Sequence, residues 1–81
     1  MELENATAHA IDYELKHIPK KYQKPFNSAH EGYAVLREEV DELWEEIKFG
    51  GKLHPKDHKR RIREEAIQVA AMAARIIQEL T

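Results

Sequence analysis

The sequence predicts an all-α fold on three observations. Apolar residues recur at helical spacing in three segments, glycine and proline separate those segments, and one segment opens with a helix-capping signature. The first segment runs from about Leu3 to Ile18: Leu3, Thr7, Ile11, Leu15 and Ile18 share a face, and Pro19 ends the run. Lys20 to Asn27 follows as a linker with Pro25 inside it, and Tyr22 and Phe26 are expected to pin it to the body.

In the second segment Ser28 and Glu31 form a capping box, in which each side chain reaches a backbone N–H of the opening turn. The helix is expected to run to about Phe49, where Gly50-Gly51 stops it. Tyr33, Leu36, Val40, Leu43, Trp44 and Ile47 fall on one stripe, which makes Trp44 and Tyr33 core residues. The third helix is expected from near Pro55, a residue suited to a first helical position, to about Leu80. Ile62, Ala66, Val69, Ala70, Ala73, Ile76, Ile77 and Leu80 line its apolar face, and the alanines allow another helix to come close. The second and third helices, joined by a short loop, should form an antiparallel hairpin, with the first helix as a short N-terminal addition. Two such hairpins would complete a four-helix-bundle-like oligomer.

Size points the same way. A single domain of 81 residues buries only about 60–65% of its unfolded surface, and with no cysteines it has neither disulfides nor thiolate zinc sites as staples. Self-association is the remaining route to a larger core, so a homodimer or homotetramer is expected. The formal net charge of −2, with 35% charged residues, argues against a protein that coats nucleic acid. No apolar run approaches the length of a membrane span and the polar N-terminus does not read as a signal peptide, so no membrane is expected and a cytoplasmic location is the default.

The chemistry lies in the acids of the second helix: Glu38, Glu39, Asp41, Glu42, Glu45 and Glu46. Glu39, Glu42 and Glu46 form a stripe about 60–160° from the apolar centre, with Glu39 nearest the core edge. On the third helix Glu65 lies about 70° from the apolar centre, with Gln68 one turn along. Carboxylates gathered beside a packing seam repel one another. A divalent cation reverses the sign, and an all-oxygen donor set suits Mg²⁺, whose shell is usually completed by waters and substrate phosphates. His9, His17, His54 and His58 have no metal-ligand spacing that would favour zinc or copper. Periodicity alone leaves two readings open, a cation site and a solvated acidic surface.

Cationic residues crowd the start of the third helix: Lys52, Lys56, Lys59, Arg60, Arg61 and Arg63. Cations there oppose the helix macrodipole by several tenths of a kcal/mol each, a conflict that a nearby anion would relieve. Lys59, Arg63 and Arg75, the last two turns beyond Gln68, are candidates for binding phosphate. Without interleaved aromatics the basic run does not read as a nucleic-acid site. Asn27 and His30, at the mouth of the second helix, are candidates for meeting a nucleobase or sugar.

The stretch Glu38-Glu39-Val40-Asp41-Glu42 reads as EExxE, and Glu65-Ala66-Ile67-Gln68 stands where a partner ExxD motif would be, after 22 intervening residues. This arrangement, from about Phe26 to Leu80, resembles the MazG-type nucleoside triphosphate pyrophosphohydrolases of the all-α NTP pyrophosphatase superfamily. The resemblance implies cleavage of the α–β phosphate bond of a nucleoside triphosphate, giving a monophosphate and diphosphate, in an obligate dimer or tetramer. It implies Mg²⁺, or Mn²⁺ as a substitute, held by Glu39, Glu42 and Glu65, with Glu38 activating the attacking water. The last aspartate of the pattern is Gln68 here, which offers a carbonyl oxygen but no charge. The alternative is therefore a catalytically weak or inactive nucleotide- or metal-binding module.

Overall fold

A computed structural model describes residues 1–20 and 23–81, so Tyr22 and its expected anchoring role lie outside the described residues. Three helices follow in order: α1 (Asn5–Lys16), α2 (Ala29–Leu53) and α3 (His58–Leu80). The helix α1 is shorter than its apolar spacing predicts, leaving Leu3 exposed before it. Its last turn closes with the His17 N–H donating to the carbonyls of Tyr13 and Glu14.

Ser28 caps α2 as expected, its hydroxyl accepting from the Glu31 N–H at 3.1 Å. The reciprocal half differs. The Glu31 carboxylate reaches back to Asn27, accepting from its backbone N–H at 3.1 Å and its side-chain amide at 2.9 Å. At the other end, Gly50-Gly51 does not stop the helix, which continues to Leu53. Neither glycine takes the left-handed conformation that a glycine cap uses. Gly50 is instead where the backbone comes close to a buried side chain: a Cβ there would lie 2.5 Å from the Glu46 carboxylate.

Pro55 also has a different role from the expected one. It precedes α3 and occupies the second position of a turn from His54 to Asp57, closed by the Asp57 N–H donating to the His54 carbonyl at 3.0 Å. Proline's fixed φ suits that position. Helix α3 begins three residues later, at His58.

The helices α2 and α3 pack as an antiparallel pair. Near the start of α2, Gly32 faces Ile76 and Leu80 at the far end of α3, while Glu46 near its end meets Arg61 in the first turn of α3. On α2 the inward positions are Gly32, Leu36, Glu39, Leu43, Glu46 and Gly50, alternating by four and three residues, all buried or half-buried. This seam is rotated by about 70° from the centre of the apolar stripe, at 100° per residue. The rotation leaves Tyr33, Val40, Trp44 and Ile47 exposed, Trp44 by 54%, so the expected core roles of Trp44 and Tyr33 do not hold within one chain. At Gly32 the seam requires a small residue, since a Cβ there would lie 2.9 Å from Leu80 and 3.3 Å from Ile76 of α3. Helix α1 packs on α3 rather than on α2. No helix among the described residues is long and apolar enough to cross a membrane.

Candidate functional site

Because the seam follows Gly32, Glu39, Glu46 and Gly50, it carries glutamates into the interface between α2 and α3. Glu39 and Glu42, one turn apart on α2, and Glu65 on α3 each offer a carboxylate oxygen, and the three oxygens lie within 4.8 Å of one another. One oxygen of Glu39 and one of Glu65 are fully buried with no hydrogen-bond partner among the described residues. Burial pushes the Glu39 carboxyl above its ordinary value, and the charges of Glu42 and Glu65 push it further. Glu65 is raised by burial first, then by Glu42 and Glu46, with Arg61 pulling partly the other way. Two orphaned carboxylate oxygens beside a third acid are costly unless a proton or a cation joins them.

The donor set fits a hard cation. Around Mg²⁺, oxygens on opposite sides stand about 4.2 Å apart and adjacent ones about 3 Å, so three carboxylate oxygens within 4.8 Å of one another close by up to about 2 Å on taking the ion. Glu42 and Glu65 border a smaller hollow at the hairpin end, shared with Glu46 and Arg61. Glu46 is itself paired, its carboxylate accepting from Arg61 Nε at 3.0 Å with His58 Nδ1 3.8 Å away. It is thus drawn to Arg61, whereas Glu39 pairs with no cation among the described residues.

On the other side of the trio a cleft of about 520 Å³ opens between α1, the linker, α2 and α3. Glu38, Glu39, Glu42 and Gln68 line it together, and so does Arg75. Its apolar walls include Leu15, Ile18, Phe26, Val35 and Met72. Five of the residues predicted from sequence therefore meet at one cavity, with a Glu65 oxygen within 4.8 Å of those of Glu39 and Glu42 from the seam. Asn27, His30, Lys59 and Arg63 are exposed and do not line the cleft. Asn27 is occupied in holding Glu31.

Two contributors were not foreseen. Glu14 of α1 lines the cleft opposite the acids of α2, close enough that its charge adds to the upward push on Glu39. A signal existed: Glu14 falls three residues after Ile11, at the edge of the α1 apolar stripe. Lys24 also lines the cleft, brought there by contacts to α3 more than fifty residues away in sequence, for which no local pattern exists. Compared with family models, curated proteins and solved structures, the chain matches none.

Proposed function

We propose that the chain is a Mg²⁺-dependent nucleoside triphosphate pyrophosphohydrolase, converting a ribo- or deoxyribonucleoside triphosphate and water to the monophosphate and diphosphate. The observation that carries this reading is the convergence of Glu39, Glu42 and Glu65, with two buried carboxylate oxygens lacking a partner among the described residues, at the edge of a cleft of nucleotide size. The order and spacing of the two acidic motifs support it, resting on resemblance to the MazG-type enzymes.

Glu39, Glu42 and Glu65 would hold the cation, with the Gln68 amide oxygen available from the same cleft. When bound, Mg²⁺ neutralises phosphate charge and aligns the phosphate oxygens. Glu38 orients a water and accepts its proton as the water oxygen bonds to the α-phosphorus. The bond from that phosphorus to the bridging oxygen breaks, and diphosphate leaves. The apolar walls exclude water and provide a surface for the base.

The working unit is a homodimer or homotetramer. The single chain exposes 6591 Å², against about 5000 Å² for a typical folded monomer of its 9.5 kDa mass. The excess includes the α2 stripe of Tyr33, Val40, Trp44 and Ile47.

The deciding experiment follows diphosphate release from a panel of triphosphates with Mg²⁺, in the parent and in Glu39→Gln. Turnover that disappears in the variant supports the reading; no turnover of any triphosphate defeats it. Gln68 favours a second reading, since a neutral amide lies in the cleft where a further carboxylate would serve. A parent that binds Mg²⁺ and triphosphate without turnover, and gains turnover in Gln68→Asp, is a binding module.

A further inference from the structure

The cleft contains many acids, and a polyphosphate entering it needs cationic side chains as well as a metal ion. Among the described residues, the basic side chains lining it belong to Lys24 and Arg75, with the His17 ring beside them. Arg75 is the obvious phosphate ligand, but two of its five N–H donors are engaged and its charge is paired with Glu79. It is 6% exposed. Its Nε donates to the Glu79 carboxylate, its Nη2 donates to the Lys24 carbonyl at 2.6 Å, and its guanidinium lies 4.1 Å from the centre of the Phe26 ring. Glu79 neutralises its charge and would repel an incoming phosphate.

The same residues clamp the linker. The other Glu79 oxygen accepts from the Phe26 N–H at 2.9 Å, so Lys24-Pro25-Phe26 is held at its carbonyl end by Arg75 and at its N–H end by Glu79. Pro25 between the two anchors has a fixed φ and restricts the residue before it to extended conformations. The clamp therefore fixes the Lys24 backbone at the wall of the cleft, within side-chain reach of its mouth. No ion pair to Lys24 occurs among the described residues.

We propose that Lys24 is the phosphate-binding cation of the cleft and that Arg75 and Glu79 are positioning residues that act through it. This rests on the triphosphate reading above. The ammonium takes a terminal phosphate oxygen on the side away from the carboxylate trio, as a point charge suits a mobile polyphosphate.

The test is calorimetric titration of the folded protein with Mg²⁺ alone, then of the Mg²⁺-loaded protein with an α,β-methylene nucleoside triphosphate. Lys24→Gln, on an exposed residue, should leave Mg²⁺ affinity unchanged and weaken the triphosphate about tenfold or more. Arg75→Lys keeps the charge but loses the forked geometry and the ring stacking, and should weaken triphosphate in the parent. Placed in the Lys24→Gln background it should have no further effect, because the two substitutions remove one interaction. Glu79→Gln should behave as Arg75→Lys does, and it carries the test if Arg75→Lys fails to fold. Additive losses would overturn the proposal by showing that Arg75 touches phosphate itself. Triphosphate bound equally by Lys24→Gln and parent would overturn it while leaving the proposed function standing. A parent that binds Mg²⁺ but no triphosphate defeats both.

Discussion

Adjacent glycines near the end of α2 should respond to alanine with opposite signs. Both are helical, so removing backbone freedom should stabilise each by about 1 kcal/mol. At Gly51 nothing opposes that gain, since the new Cβ would sit 3.4 Å from the His58 ring, close to ordinary contact. At Gly50 the Cβ would lie 2.5 Å from the Glu46 carboxyl carbon and one of its oxygens. That carboxylate is buried and bonded to Arg61, so it cannot swing aside without leaving its partner. Breaking a buried pair costs about 3–5 kcal/mol, and because Arg61 is 40% exposed and can be rehydrated, about 2 kcal/mol is appropriate here. The net for Gly50→Ala is a loss of about 1 kcal/mol against a gain of about 1 kcal/mol for Gly51→Ala. With an unfolding entropy of about 2.1 cal/mol/K per residue, the two variants should melt about 6 °C below and about 6 °C above the parent. Circular dichroism melts at one protein concentration would read this. In a Glu46→Ala background, Gly50→Ala should become stabilising. If Gly50→Ala raises the melting temperature of the parent as Gly51→Ala does, the seam is not where we place it and the convergence of Glu39 with Glu65 loses its support.

Other outcomes follow from the same geometry. Added Mg²⁺ should raise the melting temperature: at tenfold excess over the dissociation constant the gain is about 1.4 kcal/mol or about 8 °C, and Glu39→Gln with Glu42→Gln should abolish it in a thermal-shift assay. Glu39 and Glu65 bind protons more tightly folded than unfolded, so the metal-free protein should lose stability as pH rises from the ordinary carboxylate value of 4.5 through their raised values. Mg²⁺ should cancel that loss, and Glu39→Gln should flatten the slope in urea titrations across pH. Glu79 acts with the opposite sign at lower pH: burial pushes its carboxyl up, but bonds from Arg75 and the Phe26 N–H outweigh this and hold it low, so its contribution is lost as pH falls through that value. Gln68→Asp should tighten Mg²⁺ binding by calorimetry and lower the melting temperature of the metal-free protein, because it adds a charge to a crowded cleft. If the α2 stripe carries the proposed self-association, Trp44→Ser with Val40→Ser should weaken it by about 2 kcal/mol, roughly 30-fold in dissociation constant by sedimentation equilibrium.

Local signals were legible and long-range ones were not. Ser28 announced its helix because the capping bond spans three residues, and EExxE fixed the relative placement of Glu39 and Glu42 because one helical turn separates them. Gly50 and Pro55 were misread for one shared reason. Each has a common local use, a helix stop and a helix start, which was overridden by a neighbour: the Glu46 carboxylate against Gly50 and the His54–Asp57 turn around Pro55. The clamp of Arg75 on Lys24 was beyond local reading, since its partners are 51 residues apart. The helical wheel of α2 placed its glutamates correctly relative to its apolar stripe. It could not say which of the two would face α3.

That last choice ties the candidate site to assembly. If α2 turned its apolar stripe toward α3, Val40 and Trp44 would be covered and Glu39 would move toward solvent, away from Glu65. The observed rotation does the reverse, seating Glu39 and Glu46 in the seam and leaving Tyr33, Val40, Trp44 and Ile47 outside. Within one chain this is a poor arrangement, combining carboxylates that repel one another with apolar surface in water. The proposed cation and the proposed second copy would together make it favourable, the one joining the carboxylates and the other covering the stripe. Each event favours the same rotation of α2, so each should strengthen the other, with affinity for Mg²⁺ rising as the chains associate.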